Sequence, residues 1–463
     1  MTDPVSSMLD PVLGRIDANQ SAALDRLKEL LRIPSISTDP AHAEDCHHAA
    51  DWLVAELSDL GFEASKRATP GRPMVVAHGG EGGRHVLFYG HYDVQPVDPL
   101  TLWNRDPFDP AVEQTATGAV IRGRGASDDK GQLMTFLEAC RAFRDVTGRL
   151  PCRITVLFEG EEESGSPSLI PFLRANAGEL SAPEIALICD TGLFEGRVPA
   201  IVTTLRGLLG EEVEIEGPDR DLHSGSYGGL AMNPARVLTR ILGNLHDEAG
   251  RVQVPGFYDG VGEVPSQVKA GWDNLGFSAE RFLGEVALSH PAGEAGRTPL
   301  EQLWSRPTAE INGIEAGYTG AGFKTVLPSR ARAKVSFRLV GGQDPDRLRE
   351  AFRDWVLAQL PPDCHATFTG HGAGPASAME TDHPVFAAAL EALGEEWNRP
   401  AAFVGAGGSI PIAGYFQSEL GLQSMLTGWG RDDDQIHSPN EKYDLESFHK
   451  GTRSWARILA RLA

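Results

Sequence analysis

The chain has 463 residues, 41% of them apolar and 23% charged, the profile of a globular protein; at roughly 150 residues per domain it exceeds one ordinary core and suggests two or three, with two as the working number. A formal charge of −22 repels phosphate backbones and anionic lipid, which argues against nucleic acid or a membrane surface as partner. The five cysteines, Cys46, Cys140, Cys152, Cys189 and Cys364, are odd in number and widely spaced with no CxxC pair, so no disulfide framework is expected and a reducing compartment fits.

The N-terminal MTDPVSSMLDPVLGRID lacks a basic region followed by an apolar run, so neither a signal nor a transit peptide is expected. No apolar stretch approaches the ~18 residues of a spanning helix, and the expected location is the cytoplasm. Leucines 24, 27, 30 and 31 recur at helical spacing and predict an amphipathic helix over 22–33; Leu53, Val54, Leu57 and Leu60 predict a second over 47–60, ended by Gly61. Short apolar, β-branched runs at 74–78 (MVVAH), 85–89 (HVLFY), 153–158 (RITVLF) and 184–189 (EIALIC) read as buried strands of a largely parallel sheet packed with helices. From about Arg206 the texture changes. A helix over 233–245 is predicted, with Asn233 as N-cap and Pro234 at N1. An irregular stretch over 250–310, a strand over 331–340 and a helix over 345–360 complete an α+β insert. Helices near 384–397 and 446–461 return to the earlier style. The expected organisation is therefore one domain from 1–205 and 384–463, and an inserted one over 206–383.

Three of the strands run directly into His, Asp and Glu clusters, at the strand carboxyl ends where α/β sheets bind ligands. In GHYDVQP, His91 and Asp93 lie two residues apart, on one face of an extended chain, so the carboxylate can orient the imidazole. Alone, such a pair is an ordinary strand end. In GRGASDDKG the glycines turn the chain before a helix that starts near Lys130. One Asp there serves as an N-cap, but Asp128 followed by Asp129 places two carboxylates together, a repulsion that a cation relieves. FEGEEESGS carries Glu161, Glu162 and Glu163 at the end of a buried strand, where like charge is costly without compensation. Asp190 follows EIALIC, and His437 lies in DDDQIHSPNEKY. Two His and three carboxylates suit the mixed N/O ligation of zinc, manganese or cobalt.

These five motifs, in this order and at these separations, resemble the cocatalytic metallopeptidases that include carboxypeptidase G, aminoacylase-1, succinyl-diaminopimelate desuccinylase and the carnosine and nonspecific dipeptidases. HYDVQP, GRGASDDKG, EGEEESGS and HSPNEK look closest to the dipeptidase branch. The resemblance covers nearly the whole chain. It implies an α/β catalytic domain holding two divalent metal ions, zinc foremost, with an inserted α+β lid and dimerisation domain. His91, Asp128 and Asp190 would hold one ion, and Asp128, Glu163 and His437 the other. Glu162 would be the general base, Asp93 would orient His91, and the Asp128–Asp129 peptide bond would be cis.

DLHSGSYGG, KTVLP and SFRLV resemble lid motifs of the same family. By that likeness His223 would stabilise the oxyanion in the active site of a partner subunit, making a homodimer, while Arg338 and Thr325 would bind the substrate's terminal carboxylate. GAGGSIP offers backbone N–H groups near Gly408 and Ser409 for that carboxylate, although an ordinary loop is as good a reading. The expected substrate is a dipeptide. An N-acyl amino acid is the alternative, disfavoured because such relatives tend to carry His-Thr-Asp where this chain has His91-Tyr92-Asp93. A non-catalytic metal-binding homologue would lose Glu162 or Asp93 first, and both are present; the lid motifs argue against a binuclear phosphoesterase.

Overall fold

A computed structural model describes residues 4–284, 286–408 and 411–463. The chain divides into two compact units. The described residues up to Thr203, with Met379–Val404 and Tyr415–Ala463, form the first; Thr204–Ala378 and Gly405–Gly414 form the second.

The first unit is built on a mixed sheet containing β1 (Glu63–Arg67), β2 (Met74–Gly79), β3 (His85–His91), β4 (Arg153–Glu159), β5 (Ile185–Ile188), β6 (Ala200–Leu205) and β7 (Ser424–Thr427), in the order β1-β2-β4-β3-β5-β7-β6. Its centre is parallel: β3 pairs with β4 and β5, and β5 with β7. The flanking pairs are antiparallel, so the sheet is less parallel than its apolar runs suggest. Helices α1 (Pro4–Ala18), α2 (Gln20–Leu31), α3 (Ala43–Asp59), α4 (Lys130–Thr147), α5 (Pro384–Trp397) and α6 (Leu445–Leu462) surround it. Adjacent residues of β3 serve opposite faces, as strand alternation requires. Phe88 stacks on Phe136 of α4 and meets the edge of Trp455 of α6, whereas Tyr89 packs edge-on against Phe416. Both faces are thus covered, and β3 reads as a continuous apolar run for that reason.

Helix α4 is buried from Lys130 to Cys140 and ends at Gly148, whose φ of 75° suits glycine. Its first residue is an ammonium in the core. Lys130 donates to the carbonyls of Leu30 and Ile33 at 3.2 and 2.7 Å, capping the carboxyl end of α2, and burial lowers its pKa to about 7. A three-stranded sheet of Ala111–Thr115, Gly118–Arg122 and Lys442–Asp444 pairs Lys442 with Arg122. It brings the segment after His437 beside the glycine-rich turn that precedes α4.

The second unit is a four-stranded antiparallel sheet in the order Thr308–Ala316, Arg330–Leu339, Gly207–Glu216, His365–Gly374. Its central strands alternate buried and open residues, the pattern of a sheet with one packed face. Helices Pro234–Gly243 and Pro345–Leu357 pack on it. Asn233 caps the first through Ala235 N–H at 2.9 Å, with Pro234 following. The stretch over 250–310, expected to be irregular, contains the short helices Ser266–Asp273, Ala279–Gly284 and Pro299–Trp304; each is too short to show periodicity. Gly405–Gly414 goes with this unit rather than with the segment 384–463 in which it was expected. A Cβ at Gly405 would lie 2.5 Å from Trp304, a close approach that only glycine permits. No helix among the described residues is long and apolar enough to cross a membrane.

Because Phe136 fills the space between the sheet and α6, Phe136→Ala is expected to cost about 3–5 kcal/mol, and Phe136→Leu less. Chemical denaturation of both variants checks this; equal stability to the parent would mean that the Phe88–Phe136 stack contributes nothing.

Candidate metal centre

Each candidate side chain in the first unit is delivered by a strand end or the loop after it. His91 closes β3, Asp128 precedes α4, Glu163 follows β4, Asp190 follows β5, and His437 comes from the loop before Lys442–Asp444. Separated by up to 346 positions in sequence, they converge: ligand atoms of His91, Asp128 and Asp190 lie within 4.8 Å of one another, and so do those of Asp128, Glu163 and His437. Asp128 belongs to both sets. Its Oδ1 is 3.1 Å from His91 Nε2 and its Oδ2 is 2.9 Å from His437 Nε2, while His437 Nε2 is also 3.3 Å from Glu163 Oε2. The Asp128–Asp129 peptide bond is cis.

Asp129 occupies the N-cap position before α4 but makes no side-chain cap, so capping does not explain the paired aspartates. Its Oδ2 accepts from the backbone N–H of His91 at 3.1 Å, fixing the end of β3. Asp93 is buried and works twice. It lies 3.4 Å from His91 Nδ1, and its two oxygens accept from the backbone N–H groups of Glu162 and Glu163 at 3.2 and 3.0 Å. This orients the imidazole and the glutamate pair through one carboxylate.

Three residues not singled out from the sequence complete the frame. Glu441 is buried and accepts from the backbone N–H groups of Gly125, Ser127 and Asp128 at 2.9, 2.8 and 3.0 Å and from Arg124 Nη1 at 2.8 Å. It therefore holds the turn that carries Asp128. Gln95 donates to Glu163 Oε2 at 2.6 Å. All three lie inside motifs already quoted; being polar was their only signal. Asn440 pins the His437 loop by accepting from Asn104 N–H and donating to Leu102 O, both at 2.8 Å. A third acidic group, Asp433, Asp434 and Asp444, is not comparable, because the Lys442 ammonium already bonds all three at 2.7–2.9 Å.

The electrostatics fit a bound cation. Burial and the carboxylates of Asp128, Glu162 and Glu163 push Asp190 well above the usual range, opposed by His91. Burial likewise raises Glu162 to about 7, with Asp93, Glu163 and Asp128 adding to it and His91 opposing. Asp128 is buried too, but its hydrogen bonds to His437 and His91 hold it well below the usual value. Hydrogen bonds to Asp128 and Glu163 raise His437 to about 10. So much buried carboxylate against two imidazoles is a donor set short of positive charge, and a divalent ion in either half-site supplies it.

In the second unit, His223 and Thr325 are neighbours: Leu222–His223 pairs with Val326–Leu327, and Ser224 N–H donates to Thr325 O at 3.1 Å. His223 Nδ1 accepts from Gly225 N–H at 3.0 Å, so in the neutral ring Nε2 carries the proton. Arg338 lies on the central strand opposite Leu208 and Thr308. Gly408 is exposed, and Ser409 lies outside the described residues.

Residues 87–461 match the pattern of peptidase family M20/M25/M40. The Cys-Gly metallodipeptidase dug1 of Schizosaccharomyces pombe is 30% identical over 471 residues, covering 98% of both chains. The Beta-Ala-His dipeptidase of Homo sapiens is 29% identical, covering 99% of this chain and 94% of its own. Among solved structures, the M20 family metallo-carboxypeptidase Sso-CP2 from Sulfolobus solfataricus superposes with a TM-score of 0.79 and 31% identity, over 95% of this chain and 98% of that one. With the family pattern spanning both metal half-sites, the chain belongs to peptidase family M20/M25/M40.

Proposed function

We propose that this protein is a metal-dependent dipeptidase. The observation that carries the reading is one buried carboxylate, Asp128, shared by two half-sites, with the unligated Glu162 tethered beside them through Asp93. His91, Asp128 and Asp190 would hold one divalent ion and Asp128, Glu163 and His437 the other; zinc suits this N/O set best, with manganese or cobalt as alternatives. Such ions supply polarisation of the scissile carbonyl and acidification of the attacking water. Glu162 takes the proton from that water and returns it to the leaving amine, a task suited to a carboxyl group titrating near neutrality. His223 offers Nε2–H to the developing oxyanion. Arg338 pairs with the terminal carboxylate, aided by Thr325 and by the backbone near Gly408 and Ser409. The names of the yeast and human relatives support dipeptides as the substrate class. The likeness to Sso-CP2 favours a second reading, removal of carboxyl-terminal residues from longer peptides. We further propose a homodimer with His223 acting across subunits, and a cytoplasmic location in which the five free thiols stay reduced.

A panel of dipeptides, longer peptides and N-acyl amino acids tests the reading: cleavage should fall steeply beyond dipeptides, and activity on acyl amino acids alone would overturn it. Glu162→Gln should retain bound metal by elemental analysis while kcat falls about 100- to 10,000-fold; near-normal turnover would remove Glu162 from the base role.

Metal removal should introduce a pH dependence. Asp190, Glu162, Glu441 and His437 all have folded pKa values above their ordinary ones, the last three at about 7, 7 and 10. The folded apo-protein therefore binds more protons than the unfolded chain between about pH 5 and 8, and its stability falls as pH rises. The gain in melting temperature on adding zinc should be larger at pH 8 than at pH 5.5, and an equal gain would contradict this electrostatic picture. If His223 acts across subunits, verified heterodimers of Glu162→Gln and His223→Ala chains should regain part of the activity absent from either homodimer.

A further inference from the structure

The second unit contains two guanidinium groups without the partners its other buried arginines have. Arg306 bonds Glu294 at 2.5 Å, Arg349 and Arg353 both bond Glu211, and Arg297 bonds Glu263. Arg206 and Arg338 are also half-buried, yet among the described residues neither forms an ion pair. Among the described residues, Arg206 makes one hydrogen bond and it is a long one, Nε to the carbonyl of Gly407 at 3.4 Å. The backbone brings the two together. Gly207 pairs with Leu339 and Leu208 with Arg338, so alternation places Arg206 on the face of Arg338, one diagonal step away. Both line one cavity of about 950 Å³, with Thr308 beside Arg338; Glu310, Asp247 and Glu248 lie on its walls as well. Burial and the Arg338 charge together lower the pKa of Arg206, opposed by Glu310. Two like charges held side by side in a half-buried cavity disfavour the ligand-free state, and an anion between them relieves both the repulsion and the desolvation. Gly407 belongs to the arrangement, since a Cβ there would come within 3.2 Å of Arg206 Nη2.

We propose that Arg206 is a second guanidinium of the carboxylate subsite, joining Arg338 on the terminal carboxylate of the substrate and setting the preference for a free carboxyl end. The assignment rests on the dipeptidase reading. Two forked donors satisfy a carboxylate more completely than one, and Gly407 ties that pair to the GAGGSIP segment. Arg206 is thus a specificity residue that lies outside every motif that marked the site.

The test compares a dipeptide with its C-terminal amide on metal-loaded protein. Arg206→Met should lower the acid-to-amide ratio of kcat/KM about 10- to 100-fold, chiefly through KM of the acid, and Arg206→Lys should restore part of the ratio. A proportional loss on both substrates, leaving the ratio as it was, would mean that Arg206 only supports the fold and would overturn the assignment. Titration calorimetry of acid and amide onto Glu162→Gln protein, with and without Arg206→Met, keeps the two readings apart. If the parent cleaves no dipeptide but binds the acid in preference to the amide in an Arg206-dependent way, the dipeptidase reading fails and the subsite stands. Binding that is indifferent to Arg206 overturns the subsite even when dipeptides are cleaved.

Discussion

Buried negative charge is the constraint on which the first unit depends. Asp93, Asp128, Glu163 and Asp190 meet where parallel strands end, and two imidazoles do not neutralise them. Such a cluster is expensive in a low-dielectric interior and persists in a folded protein only when something outside the chain supplies positive charge. The architecture concentrates the cost in one place. The parallel centre of the sheet aims three successive carboxyl-terminal strand ends at the same point, and the antiparallel flanks hold that centre in register.

Around this cluster lies a layer of polar groups that hold the segments carrying His91, Asp128 and Glu163. Glu441 gathers three backbone N–H groups and Arg124 into a support for the Asp128 turn, and bonds of this charge-assisted kind contribute about 1.5–3 kcal/mol each. Asp93 couples the His91 ring to the glutamate pair, so that His91, Glu162 and Glu163 share one anchor. Lys442, caged by three aspartates, fixes the start of the strand that Glu441 immediately precedes. Polar groups are costly to bury singly, but bonded to one another they favour one arrangement.

The second unit follows a different logic. Its sheet has one packed face, its other buried or half-buried arginines are paired with Glu294, Glu211 or Glu263, and the exceptions are the two that share a cavity. A fold that pairs charge this consistently makes an unpaired couple of guanidiniums fit for an anion, much as the excess of carboxylates over imidazoles in the first unit fits cations.

By itself the sequence determined the elements and the chemistry they carry. Strands such as HVLFY are too apolar to lie anywhere but inside, helix starts such as Asn233-Pro234 are written in capping residues, and charged clusters directly after buried strands require compensation wherever the strands pack. The spacing of the five motifs placed the chain among the cocatalytic metallopeptidases and, through that resemblance, named the residues that the fold assembles. Tertiary structure alone decided what depends on long-range register. That Glu441 supports Gly125 and Asp128 follows from the pairing of Lys442 with Arg122, and that Arg206 stands beside Arg338 follows from the alignment of Gly207 with Leu339. Periodicity and composition are local signals, whereas the proximity of two polar side chains more than a hundred positions apart is set by which strands lie side by side.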